Sequence, residues 1–117
     1  YNKKMKDFKR IILPSEKNYA KNVYWMYGVV LSDDVKISKD EVMQKLREMG
    51  IDTRSFFVPM HQQPVYYNKT VENAPDCDGE FPVADKIGMR GFYLPSSSDI
   101  TEEEIEMVCR TLKEILS

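Results

Sequence analysis

Several features that would indicate a membrane, secreted or nucleic-acid-binding protein are missing from this sequence. The longest apolar run, residues 23–31, is less than half of the roughly 20 residues that a membrane-spanning helix needs. No basic stretch followed by an apolar segment opens the chain in the manner of a signal peptide. The 17 basic and 19 acidic residues leave a formal net charge of −2, which gives no long-range attraction for polyanions. These absences predict a cytoplasmic protein that binds neither nucleic acid nor membrane.

Residue types used for metal and nucleophilic chemistry are also scarce. The two cysteines, Cys77 and Cys109, are expected to be free thiols, because a chain with this much apolar material does not need a disulfide. Asp76 and Asp78 flank Cys77 without the spacing of a zinc or calcium site, and the five glycines form no phosphate loop. His61 is the single histidine, so no serine or cysteine has an evident base of its own. We therefore predict no metal ligand, and nothing local indicates a catalytic triad.

The first half of the chain predicts two strands and a helix. Hydrophobic residues make up 42% of the 117 residues and charged residues 31%, which is typical of one globular domain. The β-branched and aromatic residues of segment 23–31 favour a buried strand. Ser38 and Glu41 form a capping box and Gly50 can adopt the left-handed conformation, so a helix is predicted between them. Segment 51–60 predicts a second strand.

The second half predicts a long loop, two more helices and a strand. Residues 62–80 are rich in Pro, Gly, Asn and Asp, which indicates irregular chain with one helical turn near Tyr66. Residues 81–90 predict a short helix with a proline in its first turn, followed by a strand at 92–94. Thr101 begins a second capping box, which opens an amphipathic helix that closes the chain.

This order of elements predicts an α+β fold, a two-layer α/β sandwich in which a small sheet carries helices on one face. The order and direction of the strands stay open. The first eight residues resemble the last turns of a helix that lacks a start signal, which indicates a piece of a longer protein.

Four residues are candidates for binding from their chemistry alone. His61 lies where the second predicted strand gives way to loop, a position that suits ordinary hydrogen bonding as well as function. Arg54 can bind phosphate or carboxylate, although a solvated charge at the sheet edge is favoured from the residues alone. Trp25 and Met26 can stack on a planar ligand, but their place in an apolar strand favours filling of the core.

Five blocks of this sequence resemble the DegT/DnrJ/EryC1/StrS aminotransferases, in order over residues 21–116. They are KNVYWMYGVVL (21–31), GIDTRSFF (50–57), PMHQQP (59–64), FPVA (81–84), and GFYLP (91–95) followed by TEE (101–103). The Trp25-Met26 pair and the PMH of the third block most resemble the GDP-perosamine synthases of that family. Those enzymes use glutamate to aminate the 4-keto group of a GDP-linked 4-keto-6-deoxymannose.

The resemblance implies a type I aminotransferase fold, in which a large domain carries pyridoxal phosphate and the catalytic lysine. Residues 1–20 would be the end of an inter-domain helix and a linker, and residues 21–117 the small C-terminal domain. The cofactor lysine lies upstream in the family, so no residue here is expected to be catalytic or to bind cofactor, and the isolated chain is expected to be inactive. The parent would be a homodimer of amino-sugar and O-antigen polysaccharide biosynthesis.

The resemblance also implies a role for the polar turn around the histidine. The implied substrate-binding residues are His61, Gln62, Gln63, Arg54, Trp25 and Met26. His61 would act as a hydrogen-bonding group of a loop that faces the nucleotide sugar, rather than as a general base. The pair Gln62 and Gln63 departs from the family, which usually carries an apolar residue first, so the choice of sugar is open. The alternative is a stand-alone ligand-binding or regulatory α+β module without catalysis.

Overall fold

A computed structural model describes residues 1–69 and 72–117 of the chain. Within these residues the helices are α1 (Asn2–Met5), α2 (Lys39–Glu48), α3 (Pro64–Tyr67), α4 (Pro82–Arg90) and α5 (Glu102–Ile115). The strands are β1 (Ile11–Ile12), β2 (Tyr27–Leu31), β3 (Arg54–Ser55) and β4 (Gly91–Leu94), and a 3-10 turn covers Met60–Gln62.

The four strands form one antiparallel sheet in the order β1-β2-β4-β3. Side chains alternate along β2, where Tyr27, Val29 and Leu31 are buried on the face that carries the core. The core also contains apolar side chains of β4, α2 and α5, namely Phe92, Leu94, Val42, Leu46, Val108 and Leu112. The predicted α+β architecture, a small sheet with helices packed on one face, is confirmed.

Both predicted capping boxes define the starts of the core helices. At α2, Ser38 Oγ accepts from the N–H of Glu41 at 3.2 Å, and Glu41 Oε2 accepts from the N–H of Ser38 at 3.0 Å. Thr101 and Glu104 make the same reciprocal pair at α5, at 3.2 and 2.8 Å. These bonds satisfy N–H groups that have no partner inside the helix. Gly50 follows α2 with φ of 78°, as its predicted left-handed conformation requires.

The buried strand predicted at residues 23–31 is wrong over its first four residues, because β2 begins only at Tyr27. The last pair of the β2–β4 ladder joins Tyr27 to Leu94, and the next residue on the partner side is Pro95, which has no N–H to donate. Ser96 takes over at this point, because its Oγ accepts from the N–H of Tyr27 at 3.3 Å. The interpretation of Trp25 as core filling is also wrong, since the residue is 76% exposed.

The second predicted strand, residues 51–60, is reduced to Arg54 and Ser55. Its partner β4 starts at Gly91 directly after α4, so the ladder has no partner residues beyond the bond from Phe56 N–H to Gly91 O, 3.3 Å long. The strand β1 was not predicted, because two residues are too few to show a pattern. Its Ile11 is nevertheless buried in the core.

The remaining elements agree with the sequence. The helical turn near Tyr66 is α3, and the short helix with Pro82 in its first turn is α4. Part of the predicted irregular segment 62–80, residues 70 and 71, lies outside the described residues. Cys77 and Cys109 are free thiols. Among the described helices, none combines the length and the apolar character required to cross a bilayer.

Candidate functional site

The six predicted contact residues lie in two separate places. Trp25, Met26 and Arg54 line one broad groove. His61 and Gln62 lie in the 3-10 turn beside α4, with Gln63 directly after it. His61, Gln62 and Gln63 are not among the residues that line the groove of Trp25, Met26 and Arg54.

The first place, which we call the Trp25 groove, is an open depression of about 1470 Å³. Its walls are formed by Tyr1, Asn2, Lys3, Lys4, Val23, Tyr24, Trp25, Met26, Tyr27, Asp52, Thr53, Arg54, Tyr93, Leu94, Pro95, Ser96, Ser97, Ser98, Ile100, Glu102 and Ile105. Aromatic, cationic and hydroxyl side chains therefore line the same space.

The tight bend before β2 exposes the indole of Trp25 in this groove. Tyr24 has φ of 50°, and its N–H donates to Asn22 Oδ1 at 2.8 Å, a local bond that stabilises the bend. The chain is thereby turned out of the sheet, and Trp25 is left 76% exposed. An indole with a free face is available to stack on a planar ligand.

Arg54 is exposed on the edge strand β3, opposite Tyr93 in the sheet register. The structure assigns its guanidinium no hydrogen bond or ion pair with any described residue. An unpaired guanidinium on a rigid strand can bind a phosphate or carboxylate through two parallel hydrogen bonds. The groove gives this charge neighbours with which it can share a ligand.

Two phenols lie in the wall of the groove, the buried Tyr27 and the partly buried Tyr1. Tyr1 donates its hydroxyl to Pro95 O at 2.8 Å, and Tyr27 donates its hydroxyl to Asn2 Oδ1. Their rings are 4.6 Å apart between centroids. Burial raises the pKa of both hydroxyls well above the ordinary value, so they stay protonated and uncharged.

The second place, the His61 turn (residues 59–63), is held by the first turn of α4. His61 Nε2 lies 2.7 Å from Asp85 Oδ1, and Gln62 Nε2 donates to the same oxygen at 2.6 Å. Gln63 Nε2 donates to Val58 O at 2.9 Å. The imidazole stacks on Phe81 with the ring centroids 4.3 Å apart and 21° between the planes.

Asp85 is a residue of this place that the sequence interpretation missed. The block FPVA ends one residue before it, and its partner His61 is 24 residues away along the chain. The available signal was helical spacing, because Phe81 and Asp85 are four residues apart at the start of a predicted helix and therefore lie on one side of it.

Lys39 connects α2 to both β3 and α4. Its Nζ donates to Ser55 Oγ at 2.6 Å and to Gly88 O at 2.5 Å. Pro59 packs close to Gly88, where an added Cβ would lie 2.9 Å from Pro59 Cγ. The strand that carries Arg54 and the helix that carries Asp85 are thus fixed to the same helix of the core.

The described lysines lack the surroundings expected of one that forms an imine with pyridoxal phosphate. A lysine that forms an imine with the cofactor must lose its proton, which burial promotes by lowering the pKa of the amine. No described lysine is buried, and the hydrogen bond to Glu106 raises the pKa of Lys4 in the groove. The described part of the chain also brings no three His, Cys, Asp or Glu side chains together in a way that could hold a metal.

Comparison with known proteins identifies relatives among sugar aminotransferases. Residues 1–113 match the model of the DegT/DnrJ/EryC1/StrS aminotransferase family. A GDP-perosamine synthase of Caulobacter vibrioides is 29% identical over 107 residues, which are 92% of this chain and 27% of that protein. The chain thus spans about a quarter of the length of this relative.

Solved structures show the same fold. DesV of S. venezuelae, solved with a ketimine intermediate, has a TM-score of 0.81 and 23% identity, with 100% of this chain and 29% of DesV covered. DesI, solved in the presence of its TDP-sugar product, has a TM-score of 0.80 and 21% identity, with 99% of this chain and 28% of DesI covered. In both cases the match accounts for less than a third of the larger protein.

Proposed function

Because the chain belongs to the DegT/DnrJ/EryC1/StrS aminotransferase family, we propose that it contacts the nucleotide sugar in a pyridoxal-phosphate-dependent aminotransferase. The proposed reaction transfers an amino group from glutamate to a GDP-linked 4-keto-6-deoxymannose, the reaction of GDP-perosamine synthases. The observation that carries the proposal is the Trp25 groove, where Trp25, Met26 and Arg54 share one space.

The chemistry of the groove complements the parts of a nucleotide sugar. A nucleobase has a flat π-face, for which the exposed indole of Trp25 offers a stacking partner. The diphosphate is anionic and suits the unpaired guanidinium of Arg54. The hydroxyl groups of the serines at 96–98 add hydrogen-bonding groups that can serve either part.

Exposed apolar residues support the placement of this chain inside a larger protein. Near the candidate residues, the large apolar side chains that are more than half exposed are Val23, Trp25, Phe57, Val58, Met60, Val83 and Met89. Exposed apolar surface on this scale is typical of an interface. We propose that the rest of the parent enzyme covers much of it, and it speaks against a stand-alone binding module.

Pyridoxal phosphate, held by residues of the parent outside this chain, would supply the electron sink of the reaction. The residues described here would bind and orient the sugar nucleotide and exclude water from it. In this proposal the isolated chain has no transaminase activity, and the parent is a cytoplasmic homodimer of amino-sugar polysaccharide synthesis. Mass spectrometry of the full parent with glutamate and GDP-4-keto-6-deoxymannose tests the reaction, and absence of an aminated product contradicts it.

Replacing Trp25 with alanine is expected to weaken the binding of GDP-mannose by about 10-fold, the loss of one stacked base. The midpoint of thermal unfolding should stay unchanged, because the indole is 76% exposed and supports no core contact. Binding is measured by ¹H–¹⁵N NMR titration of the 117-residue chain, with the amide shifts of Trp25, Arg54 and Tyr93 as reporters.

Tyr19 provides the matched control, since it is 84% exposed and lies outside the groove. Equal loss of affinity in Trp25→Ala and Tyr19→Ala, or no loss in either, contradicts the proposed contact. Tighter binding of TDP-glucose than of GDP-mannose would keep a nucleotide sugar as ligand and replace the nucleotide.

A further inference from the structure

We propose that Asp85 is a positioning residue that holds the imidazole of His61 with a proton on Nε2, so that the Nε2–H tautomer is the one present whenever the ring is neutral. Nδ1 can then accept a hydrogen bond from a hydroxyl or amino group of the ligand. It is not expected to contact a phosphate oxygen. The ligand half of this inference rests on the proposed function, because it requires the His61 turn to face the nucleotide sugar.

The tautomer follows from the chemistry of the contact. Asp85 Oδ1 lies 2.7 Å from His61 Nε2, and a carboxylate offers only acceptors, so this nitrogen must carry the proton. The other nitrogen of a neutral imidazole is then an acceptor. Nδ1 makes no hydrogen bond to any residue that the structure describes. Its lone pair is available to a ligand.

The first turn of α4 also fixes the position of the ring. Phe81 and Asp85 lie one helical turn apart, so one covers the face of the imidazole while the other holds its edge. Only 15% of the His61 side chain is exposed. The ring therefore has one tethered nitrogen, one covered face and little freedom to turn.

Gln62 is oriented by the same carboxylate oxygen. Its amide nitrogen donates to Asp85 Oδ1, so its carbonyl oxygen has no partner among the described residues and the residue is exposed. The turn thus offers two free acceptors, His61 Nδ1 and Gln62 Oε1, next to a negatively charged carboxylate. Sugar hydroxyls and amino groups donate to such acceptors, whereas phosphate oxygens are repelled by the charge.

The positioning half is tested by ¹⁵N NMR of the imidazole in the 117-residue chain at about pH 8, where an ordinary histidine is neutral. We expect a slowly exchanging Hε2 signal and an unprotonated Nδ1. The Hε2 signal should persist in Asp85→Asn, whose amide oxygen still accepts, and disappear in Asp85→Ala. A protonated Nδ1 in the wild type, or an unchanged Hε2 signal in Asp85→Ala, overturns the inference.

The ligand half is tested by comparing GDP-mannose with GDP, which lacks the sugar. Asp85→Ala should weaken binding of GDP-mannose by about 5-fold, the loss of one hydrogen bond, and leave binding of GDP unchanged. Asp85→Asn should recover most of the affinity for GDP-mannose that Asp85→Ala loses. If Asp85→Ala acted through a general loss of structure, this recovery would not be expected. An equal effect on both ligands overturns the assignment to a sugar donor group.

The two proposals fail in different ways. If GDP-mannose shifts the signals of the Trp25 groove but leaves Nδ1 of His61 unchanged, the ligand half of the inference is wrong and the groove stands. If it shifts neither set, the proposed function itself is contradicted, while the tautomer fixed by Asp85 is confirmed or overturned by the Hε2 signal alone.

Discussion

Replacing Gly91 with alanine is expected to lower the free energy of unfolding by about 3 kcal/mol, at the upper end of the cost of overpacking. A Cβ at this position would lie 2.5 Å from the carbonyl oxygen of Ile87 and 2.5 Å from Phe56 Cδ2. The backbone oxygen belongs to the last turn of α4 and cannot move without disturbing that helix. Urea denaturation of the 117-residue chain measures the effect.

Gly28 provides a matched comparison, because its added Cβ would meet only side chains. The closest atoms are Phe56 Cζ at 2.7 Å and Phe56 Cε1 at 2.9 Å, followed by Tyr93 Cε1 at 3.4 Å. Phe56→Leu in the same chain should therefore relieve much of the loss caused by Gly28→Ala and little of the loss caused by Gly91→Ala. Full rescue of Gly91→Ala by Phe56→Leu, or wild-type stability of Gly91→Ala, would contradict this account.

Gly28 and Gly91 matter for the candidate site because they leave room for the ring of Phe56 to pack on the sheet. Phe56 contacts Tyr93, with ring centroids 4.4 Å apart, and Tyr93 lines the Trp25 groove. The segment between Arg54 and His61 is thereby held against the sheet. The distance between the Trp25 groove and the His61 turn therefore depends on glycine at positions 28 and 91.

Replacing Arg90 with methionine is expected to lower the free energy of unfolding by about 2–3 kcal/mol, the cost of removing its hydrogen bonds to partly buried carbonyl groups, one of which, Ser32 O, also accepts from the N–H of Val35. Arg90 Nε donates to Leu31 O at 2.9 Å, and its Nη2 donates to Ser32 O and to Val35 O, the latter at 3.0 Å. One guanidinium thus satisfies three carbonyls of the turn that leaves β2. Thermal and urea unfolding report the change.

Arg47 is the control for the loss of a positive charge, because it is exposed on α2. Its substitution by methionine should change the free energy of unfolding by less than about 0.5 kcal/mol. Arg90→Lys should recover only part of the loss, since an ammonium cannot reproduce the planar fork. Similar stabilities of the Arg47 and Arg90 variants would show that the three carbonyls are satisfied in another way.

The helices were predictable because their ends are specified locally. Ser38 and Glu41 are three residues apart and bond to each other, so the start of α2 depends on no distant partner. The ends of the strands depend on the neighbouring strand instead. Pro95 ends the β2–β4 ladder after the pair Tyr27–Leu94, and helix α4 prevents strand pairing before Gly91. Neither of these strand ends can be predicted from the sequence of the strand that is shortened.

The sequence supplies candidate residue types for the site, which stay a prediction, and it does not supply their arrangement. The exposure of Trp25 follows from the bend at Tyr24, where φ is positive. A run of strand-forming residues does not predict this backbone conformation. The division of the six residues between two places follows from the β3–β4 register and from α4. The contact of Asp85 with His61 joins a loop to a helix and required the tertiary structure.

Helix α4 has no fully buried side chain, and several of its contacts with the rest of the molecule are polar. Its tethers include the ion pair of Lys86 with Asp33 at 2.7 Å and the bonds of Asp85 and Arg90. Charged tethers at a surface are screened by salt, whereas the apolar packing of α2 and α5 is not. Local opening of α4 should therefore precede global unfolding, so its amide hydrogens should exchange with solvent earlier than those of α2 and α5, and faster as ionic strength rises.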